Sequence, residues 1–478
     1  MSVTRRGVVK GGAAGALSIA LAGSLDGIFQ TSAGADTGEA YGYGPLIPDP
    51  KGVLDLPKGF SYKVMSVEGD PISDGVVVPG HHDGMATFPA SGHGHPGHDH
   101  GHPGHGHGHP GHGHGHPGHG PKGHGHGPKG RAHTLLVRNH EQSNNGTPAV
   151  APRELTYDPA ATGGTTTLEV DRDGNLLSQY VSLAGTAVNC AGGRTPWGTW
   201  LTCEETEGFN GETRSHGWVF EVDPYGRRTE PVPLTALGRF SHEAVAVDPH
   251  THIAYLTEDA SRPFGLFFRF LPRSRRGGYH AYRAGGKLEA LKVPGVPDLA
   301  LVTEPGTRLP ARWVDVPDPL ARQTSVRKQF EDGQVTRSQK LEGAWWGHGK
   351  AYFVASYARA DQGAAGNHAG QVWTYDPRRN EVELKLIFKP GGRFDGPDNI
   401  TVSPYGGGVI LAEDGDGEQY LVGTTRKDRP FAFARNALNG SEFTGVTFSP
   451  DGRVLFFNRQ SDPGATFAVT GPWHRLRG

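Results

Sequence analysis

The chain has 478 residues, of which 74 are glycine and 37 are proline, and only 35% are hydrophobic. This composition is typical of proteins built from turns and short strands, and it argues against a helical bundle. The formal net charge is −2, with acidic and basic residues spread along the sequence. A basic surface for nucleic acid is therefore excluded, and we expect a small-molecule ligand.

The first 35 residues have the features of an export signal. Arg5 and Arg6 precede an alanine- and glycine-rich apolar run, and Ala33-Gly34-Ala35 matches a cleavage site. We predict a twin-arginine signal peptide over 1–35, recognised by the twin-arginine export machinery, and a periplasmic or extracellular protein with no membrane span after processing. An uncleaved anchor is the alternative. Because this route exports folded proteins, it also suits a protein that acquires a metal cofactor in the cytoplasm.

The remaining residues, 36–478, are expected to form a single domain with one insertion. Residues 91–127 repeat glycine, histidine and proline and hold 14 of the 26 histidines. Such a segment cannot bury a core, so we predict that it is disordered. It either captures transition metals or is a solvated insertion tolerated in a surface loop.

A turn phrase recurs after the insertion and indicates an all-β fold. Its six copies are VDRDGNL, VDPYGRR, VDPHTHI, YDPRRNE, VSPYGGG and FSPDGRV, which begin at Val170, Val222, Val247, Tyr375, Val402 and Phe448. Each lies between alternating apolar runs, as expected for tight hairpin turns. Repeated hairpins of this kind predict a β-propeller, with a β-sandwich as the alternative. Residues 280–337 alternate poorly, and the stretch PDPLARQTSVRKQFEDGQ within them, which begins at Pro317, is expected to form a short helix or a lid.

Acidic residues recur near the ends of these apolar runs. Strand ends on one face of a propeller converge on the central channel, so the acids are expected to meet there. Buried carboxylates require compensating cations, and oxygen ligands in such number suit Ca²⁺. The predicted metal ligands among these acids are Glu141, Glu204, Glu205, Glu243, Glu258, Asp259, Glu342, Asp398 and Asp414.

The two cysteines lie within NCAGGRTPWGTWLTCEET, which begins at Asn189. A disulfide between Cys190 and Cys203 is the ordinary interpretation in an exported protein. The alternative is that Cys190, in a glycine-rich loop, reaches a metal as a thiolate, which would favour a transition metal beside the calcium. In a strand, Cys203 and Glu205 would share one face and Glu204 would occupy the other.

Other motifs are weaker. Arg459, at the end of the last clear strand, is interpreted either as a phosphate ligand or as a surface ion pair. His140 and His242 each precede a glutamate and are interpreted as supporting residues rather than ligands. The sequence contains no serine-hydrolase elbow, P-loop or zinc-protease motif.

Several of these motifs, taken in order, resemble the PhoX-type alkaline phosphatases. They are the twin-arginine leader, NHE at Asn139, the cysteine phrase, GRFSHEAVAVDP, LEGAWW, DGPDNITVSP and TGVTFSPDGRVLFFNRQ. The resemblance runs from about Tyr62 to Gly471, apart from the histidine insertion. It implies a six-bladed propeller that hydrolyses phosphomonoesters with Fe³⁺ and Ca²⁺ in its channel.

The resemblance also implies roles for individual residues. Cys190 would bind iron, and Cys190, Glu342 and Lys340 would be catalytic. Lys340, Asn139 and Arg459 are predicted to bind the substrate. Known members carry an arginine where this chain has Lys340, which keeps the charge but loses the bidentate fork. We expect a monomer.

Two other functions stay open at this stage. A calcium-dependent propeller lactonase or phytase would need calcium alone and would not need Cys190. A noncatalytic metal-binding scaffold would depend on the histidine tract and not on Glu205.

Overall fold

The computed structural model describes residues 41–73, 75–90, 133–143, 146–406 and 408–478, which fall in one compact unit. The predicted signal peptide over 1–35 and the histidine insertion over 91–127 lie outside the described residues. The described chain forms 30 β-strands and seven short 3-10 helices, and it contains no α-helix in these ranges. The all-β prediction is therefore confirmed.

The strands are arranged as six blades and one small hairpin. The N-terminal segment contributes β1 (Leu46–Ile47), β2 (Leu54–Pro57), β3 (Ser61–Val67), β4 (Pro71–Ser73) and β5 (Val76–Val77). Blade 1 contains β6 (His82–Pro89), β7 (Thr134–His140), β8 (Gly163–Val170) and β9 (Leu176–Thr186). Blade 2 contains β10 (Asn189–Arg194), β11 (Trp200–Glu204) and β12 (Val219–Val222). Blade 3 contains β13 (His242–Val247), β14 (Ala254–Glu258), β15 (Gly265–Pro272) and β16 (Gly286–Lys292).

The second half of the ring follows the same plan. After β17 (Arg308–Pro310), β18 (Arg312–Asp315) and β19 (Arg337–Ser338), blade 4 contains β20 (Leu341–Gly347), β21 (Lys350–Ala355), β22 (Gly370–Asp376) and β23 (Glu381–Phe388). Blade 5 contains β24 (Pro397–Val402), β25 (Val409–Glu413), β26 (Tyr420–Thr424) and β27 (Pro430–Asn436). Blade 6 contains β28 (Phe443–Phe448), β29 (Val454–Arg459) and β30 (Ala465–Thr470).

The N-terminal strands close the ring. β3 pairs with β30 and becomes the outer strand of blade 6, while β2 pairs with β27 and carries β1 at the edge of blade 5. β18 extends blade 3 and β17 extends blade 4. Blade 6 is thus built from both ends of the described chain, which removes one free sheet edge and ties the ring together.

The predicted turn phrases lie where hairpins occur. Five of the six connect consecutive paired strands, including β8 to β9 and β28 to β29. The sixth, at Val222, ends β12 at the edge of the three-stranded blade 2. Within 280–337 the structure has short strands and the 3-10 helices Ala281–Ala284, Leu299–Leu301 and Val326–Gln329. The expected short helix is confirmed as a 3-10 helix of four residues, Val326–Gln329.

The hydrophobic core is divided among the interfaces between neighbouring blades. Six clusters of buried residues fill the six interfaces. Successive side chains of a strand point to opposite faces of its blade, so each strand packs against both neighbouring blades. Between blades 3 and 4, for example, the rings of Phe267 and Phe353 stack with centroids 4.1 Å apart. This packing fixes the angle between blades and so fixes where the inner strands begin. Among the described residues, no helix is long and apolar enough to cross a membrane.

Candidate metal centre

The innermost strands of the six blades surround the channel, and all six carry the same irregularity. They are β6, β10, β13, β20, β24 and β28, each of which packs beside the next around the ring. Each pairs with the second strand of its blade through a register shift near its first residue. A bulge of this kind leaves a residue out of the ladder and redirects its side chain. The first bulged residue in successive blades is Asp83, Cys190, Glu243, Glu342, Asp398 and Gly445.

A second set of equivalent positions lies on the second strand of each blade, opposite the bulge. The residues paired immediately before the bulge are His140, Glu204, Glu258, Ala355, Glu413 and Asn458. In blades 1 to 5 these are also the last paired residues, whereas in blade 6 Arg459 still pairs with Phe443. The next residues in the chain are Glu141, Glu205, Asp259, Ser356, Asp414 and Arg459. Because successive side chains of a strand point in opposite directions, the second set is directed differently from the first. Four of its six members are carboxylates.

These positions bring ligand atoms together in three groups. The groups are Asp83, Glu141 and Cys190; Cys190, Glu243 and Asp398; and Asp398, Asp414 and Glu442. Within each group, one oxygen or sulfur atom of every residue lies within 4.8 Å of the others. Cys190 and Asp398 belong to two groups each. The result is a continuous line of possible metal sites across the channel rather than three separate ones.

The charge in this cluster cannot exist without compensation. The Cys190 Sγ atom lies 3.1 Å from Glu243 Oε1 and 3.7 Å from Asp83 Oδ1. Burial raises the pKa of the Cys190 thiol well above its ordinary range, and the charges of Asp83 and Glu243 raise it further. Burial and then the charge of Glu342 raise the pKa of Glu243 in the same way. In addition, the buried Oε2 atom of Glu243 has no hydrogen-bond partner among the described residues.

A donor set of this kind fits metal ions. Carboxylate oxygens are ligands for Ca²⁺, and a thiolate among them suits a softer transition metal such as iron. The unpartnered oxygen of Glu243 gives a direct structural reason for a cation at this position, because a buried acceptor without a donor is costly. The residues present therefore fit the predicted pairing of Fe³⁺ with Ca²⁺.

Lys340 is the cation of the cluster, and it is only partly enclosed. Its Nζ contacts Glu342 and lies 3.6 Å from Asp259 Oδ2, and 22% of its side chain is exposed. Burial lowers the pKa of Lys340, but the charges of Glu342 and Asp259 outweigh this effect and hold it well above its ordinary value. The partly exposed Lys340 side chain therefore places a positive charge beside Glu342 and Asp259.

The channel is narrow beside the cluster. A cavity of only about 20 Å³ lies there, lined by Trp200, Trp345 and residues of the inner strands. The strands approach so closely that a Cβ added at Gly84 would lie 2.6 Å from Ala191 Cα, and one added at Gly343 would lie 2.6 Å from the Asp398 carbonyl oxygen. Glycine at these two positions therefore permits the close approach of the inner strands.

Two predicted metal ligands lie outside the cluster. Glu204 is fully buried, and its oxygens accept hydrogen bonds from Ala187 N, His216, Gly217 N and Trp218 N. Glu258 contacts Arg327 Nη1 at 3.3 Å, and burial raises its pKa to about 8. Both occupy the last paired position of a second strand, whose side chain is directed away from the channel. The neighbouring Glu205 and Asp259 are directed at the cluster instead.

Two predicted substrate ligands are also engaged elsewhere. Asn139 Nδ2 donates to the carbonyl oxygens of Cys190 and Ala191, and its Oδ1 accepts from Trp200 Nε1 at 2.8 Å. Asn139 is therefore placed to support the cysteine strand rather than to contact a substrate. The buried guanidinium of Arg459 donates twice to the Pro463 carbonyl oxygen, so the structure directs it at a loop and away from the cluster.

The cysteines are not joined. Cys190 and Cys203 are both free and buried, which removes the disulfide alternative. Cys203 packs in the apolar interface between blades 2 and 3. It lies within β11, and Glu205 follows the end of that strand.

Sequence reasoning missed two members of the cluster, Asp83 and Glu442. Asp83 stands near the start of an inner strand, in HHDGMATF. The acids predicted from the sequence were those near the ends of apolar runs, and Asp83 precedes its run. A signal was available, since Asp83 and Glu342 each precede a glycine and a short apolar run. Glu442 precedes β28 and belongs to no strand, so no periodic pattern marks it.

Comparisons with known proteins agree with this geometry. The sequence model of a family described as "Alkaline phosphatase PhoX" matches residues 41–179 and 175–464. The fold is similar to that of "Pseudomonas fluorescens PhoX in complex with vanadate, a transition state analogue", with a TM-score of 0.62 and 17% identity over 90% of this chain and 98% of that one. A gluconolactonase, XC5397 from Xanthomonas campestris, matches with a TM-score of only 0.35 and 12% identity over 71% of this chain and 82% of that one. No curated protein matches the sequence. The family match covers most of the described residues, and the chain therefore belongs to the PhoX family of alkaline phosphatases.

Proposed function

We propose that this phosphatase is exported by the twin-arginine route and releases inorganic phosphate from phosphomonoesters at a centre of Fe³⁺ and Ca²⁺ in the propeller channel. The observation that supports this proposal is the line of three ligand groups joined by Cys190 and Asp398. Such a concentration of buried carboxylates and a thiol has a physical reason only where multivalent cations balance it.

Nine residues are proposed to hold the ions: Asp83, Glu141, Cys190, Glu205, Glu243, Glu342, Asp398, Asp414 and Glu442. When bound, these ions would supply the positive charge that a phosphomonoester dianion needs in order to accept a nucleophile. Glu342 and Asp259 hold the Lys340 ammonium beside the cluster. Lys340 is proposed to bind a phosphoryl oxygen there.

Localisation and assembly are part of the same proposal. Arg5 and Arg6 direct the folded protein out of the cytoplasm after its metals are loaded, and it acts as a monomer in the periplasm or outside the cell. A calcium-only lactonase or phytase is less consistent with the site, because the thiol of Cys190 lies at its centre.

The test uses protein purified after native export. We expect iron and calcium in elemental analysis, hydrolysis of p-nitrophenyl phosphate at alkaline pH, and loss of this activity after chelation. Calcium alone should restore little activity, whereas iron with calcium should restore most of it. The double variant Arg5→Lys/Arg6→Lys is the control for export, and it should leave the protein inside the cell. Full activity in a protein that contains calcium and no iron would contradict the mixed centre.

A further inference from the structure

The strongest unexplained feature near the cluster is a buried chain of three charged side chains in blade 2. Glu204, His216 and Asp158 are all fully buried, and none of them belongs to the three ligand groups. His216 Nδ1 lies 2.6 Å from Glu204 Oε1, and its Nε2 lies 3.3 Å from Asp158 Oδ2. Burying three ionisable groups is costly, so their arrangement calls for a role.

His216 bridges two carboxylates, each of which also accepts hydrogen bonds from backbone N–H groups. Both ring nitrogens face carboxylate oxygens, and toward ionised carboxylates both can donate only in the doubly protonated imidazolium. Burial lowers the pKa of His216, but hydrogen bonds and charges from Glu204 and Asp158 outweigh this effect and raise it. Asp158 also accepts from Ala160 N, Thr213 N and Arg214 N. The far end of the chain is thereby fixed to two loops.

The near end of the chain acts on the backbone that carries the metal ligands. Glu204 Oε1 accepts from Ala187 N at 2.9 Å, three residues before Cys190. The next residue, Val188, has a positive φ of 50° and accepts a 2.8 Å hydrogen bond from the backbone N–H of Glu205. Glu204 therefore anchors the backbone that leads into Cys190. The same backbone anchors Glu205 through the carbonyl oxygen of Val188.

We infer that Glu204, His216 and Asp158 form a positioning chain that places Cys190 and Glu205 for metal binding without touching the metals themselves. This inference rests on the proposed function, since it assigns Cys190 and Glu205 as ligands. Side chains that orient metal ligands in this way typically change metal affinity or activity by about 10- to 100-fold when they are replaced.

Blade 2 itself offers a matched control in Glu221, on β12. Glu221 is buried, and it accepts from Trp197 Nε1 at 2.7 Å, Thr199 Oγ1 at 2.6 Å and the backbone N–H of His280 at 2.8 Å. None of these partners lies within two residues of a proposed metal ligand. The variant Glu221→Gln thus disturbs a buried, hydrogen-bonded glutamate of the same blade without disturbing the backbone before Cys190.

The experiment compares His216→Gln, Asp158→Asn and Glu221→Gln, each purified after native export. In His216→Gln and Asp158→Asn we expect a tenfold or greater loss of kcat for p-nitrophenyl phosphate, a KM within about twofold of wild type because Lys340 is untouched, less iron per protein, and a weaker thiolate-to-iron absorption band. In Glu221→Gln we expect a lower melting temperature with unchanged iron content and spectrum. An unchanged band and kcat in His216→Gln, or an equal loss of both in Glu221→Gln, would overturn the inference.

A second measurement does not depend on the loaded enzyme. In metal-free protein that carries Cys203→Ala, the rate at which a thiol reagent modifies Cys190 should rise at least fivefold on adding His216→Gln and should stay unchanged on adding Glu221→Gln. Equal rates in all three proteins would refute the positioning chain. Absence of iron and phosphatase activity from wild type would instead refute the proposed function, so the two failures are distinguishable.

Discussion

Removal of the metal ions should make the stability of this protein depend strongly on pH. The ligand atoms of Cys190, Glu243 and Asp398 lie within 4.8 Å of one another. At that distance two like charges repel by about 3.5 kcal/mol for an effective dielectric constant of about 20. Three ionised groups form three such pairs, or about 10 kcal/mol, which is comparable to the whole unfolding free energy of a typical domain. Without cations, the folded protein must therefore retain protons on this cluster.

The direction of the effect follows from the raised pKa values. Burial raises the pKa of Glu243 and Glu342 well above the ordinary 4.5, and neighbouring carboxylates raise both further. The folded state then binds more protons than the unfolded state. The stability contributed by these groups is complete below about pH 4.5 and is lost as the pH rises through the folded-state pKa values. Bound cations replace the protons, so the loaded protein should change little over the same range.

The assay is urea and thermal unfolding between pH 5 and pH 9, for natively loaded protein and for protein that has been chelated and dialysed. We expect the unfolding free energy of the chelated protein to fall by several kcal/mol across this range. The double variant Glu243→Gln/Asp398→Asn, also chelated, should show a clearly flatter profile. A flat or rising profile for the chelated wild type would refute the reasoning, because it would mean that the cluster carries no excess protons.

Three further predictions test single residues. Cys190→Ala should remove the thiolate-to-iron absorption band and lower kcat at least 100-fold. Cys203→Ala, in the apolar interface between blades, should keep both the band and kcat and lose only about 1 kcal/mol of stability. Visible spectra, steady-state kinetics and denaturation measure the difference. Lys340→Met should raise the KM for p-nitrophenyl phosphate about 10- to 100-fold by removing a charged hydrogen bond, and Lys340→Arg should recover most of it; equal KM values in steady-state kinetics would contradict a substrate contact. Gly445→Ala should reduce metal content and melting temperature, because φ of Gly445 is +63° and the new Cβ would lie 2.5 Å from the Asp83 carbonyl oxygen. Gly452→Ala is the control. The φ of Gly452 is +72°, but the new Cβ would come no closer than 3.2 Å, to Tyr405 Oη, so this variant should keep the full metal content.

The fold was predictable because its signals are local. Each turn phrase places proline, glycine or aspartate between alternating runs, and this chemistry determines a hairpin whatever the distant sequence is. The contribution of β3 to blade 6 was not predictable in the same way. It depends on a pairing between Val67 and Ala465, far apart in sequence, and no local pattern encodes that contact.

The candidate site was predictable as a set of acids but not in its orientation. The chain places two acids together at Glu204-Glu205, Glu258-Asp259 and Glu413-Asp414, and composition cannot tell which member faces the channel. Strand pairing decides this, because the first member of each pair is the last paired residue of its strand. Asp83 was missed for a related reason, since the bulge that redirects it is a property of two paired strands and not of one sequence segment.

The six bulges occupy equivalent positions, but the side chains that they carry differ from blade to blade. The charge around the channel is therefore asymmetric. Blade 4 supplies Glu342 at the first position but an uncharged hydroxyl, Ser356, at the second, where blades 1, 2, 3 and 5 have carboxylates. Lys340, one residue before this inner strand, adds a positive charge on the same blade. Blade 6 lacks a side chain at Gly445, but Glu442 restores a carboxylate beside Asp398 and Asp414. On the proposed function, a phosphate dianion would therefore meet the least repulsion at blade 4, where the partly exposed side chain of Lys340 supplies a positive charge.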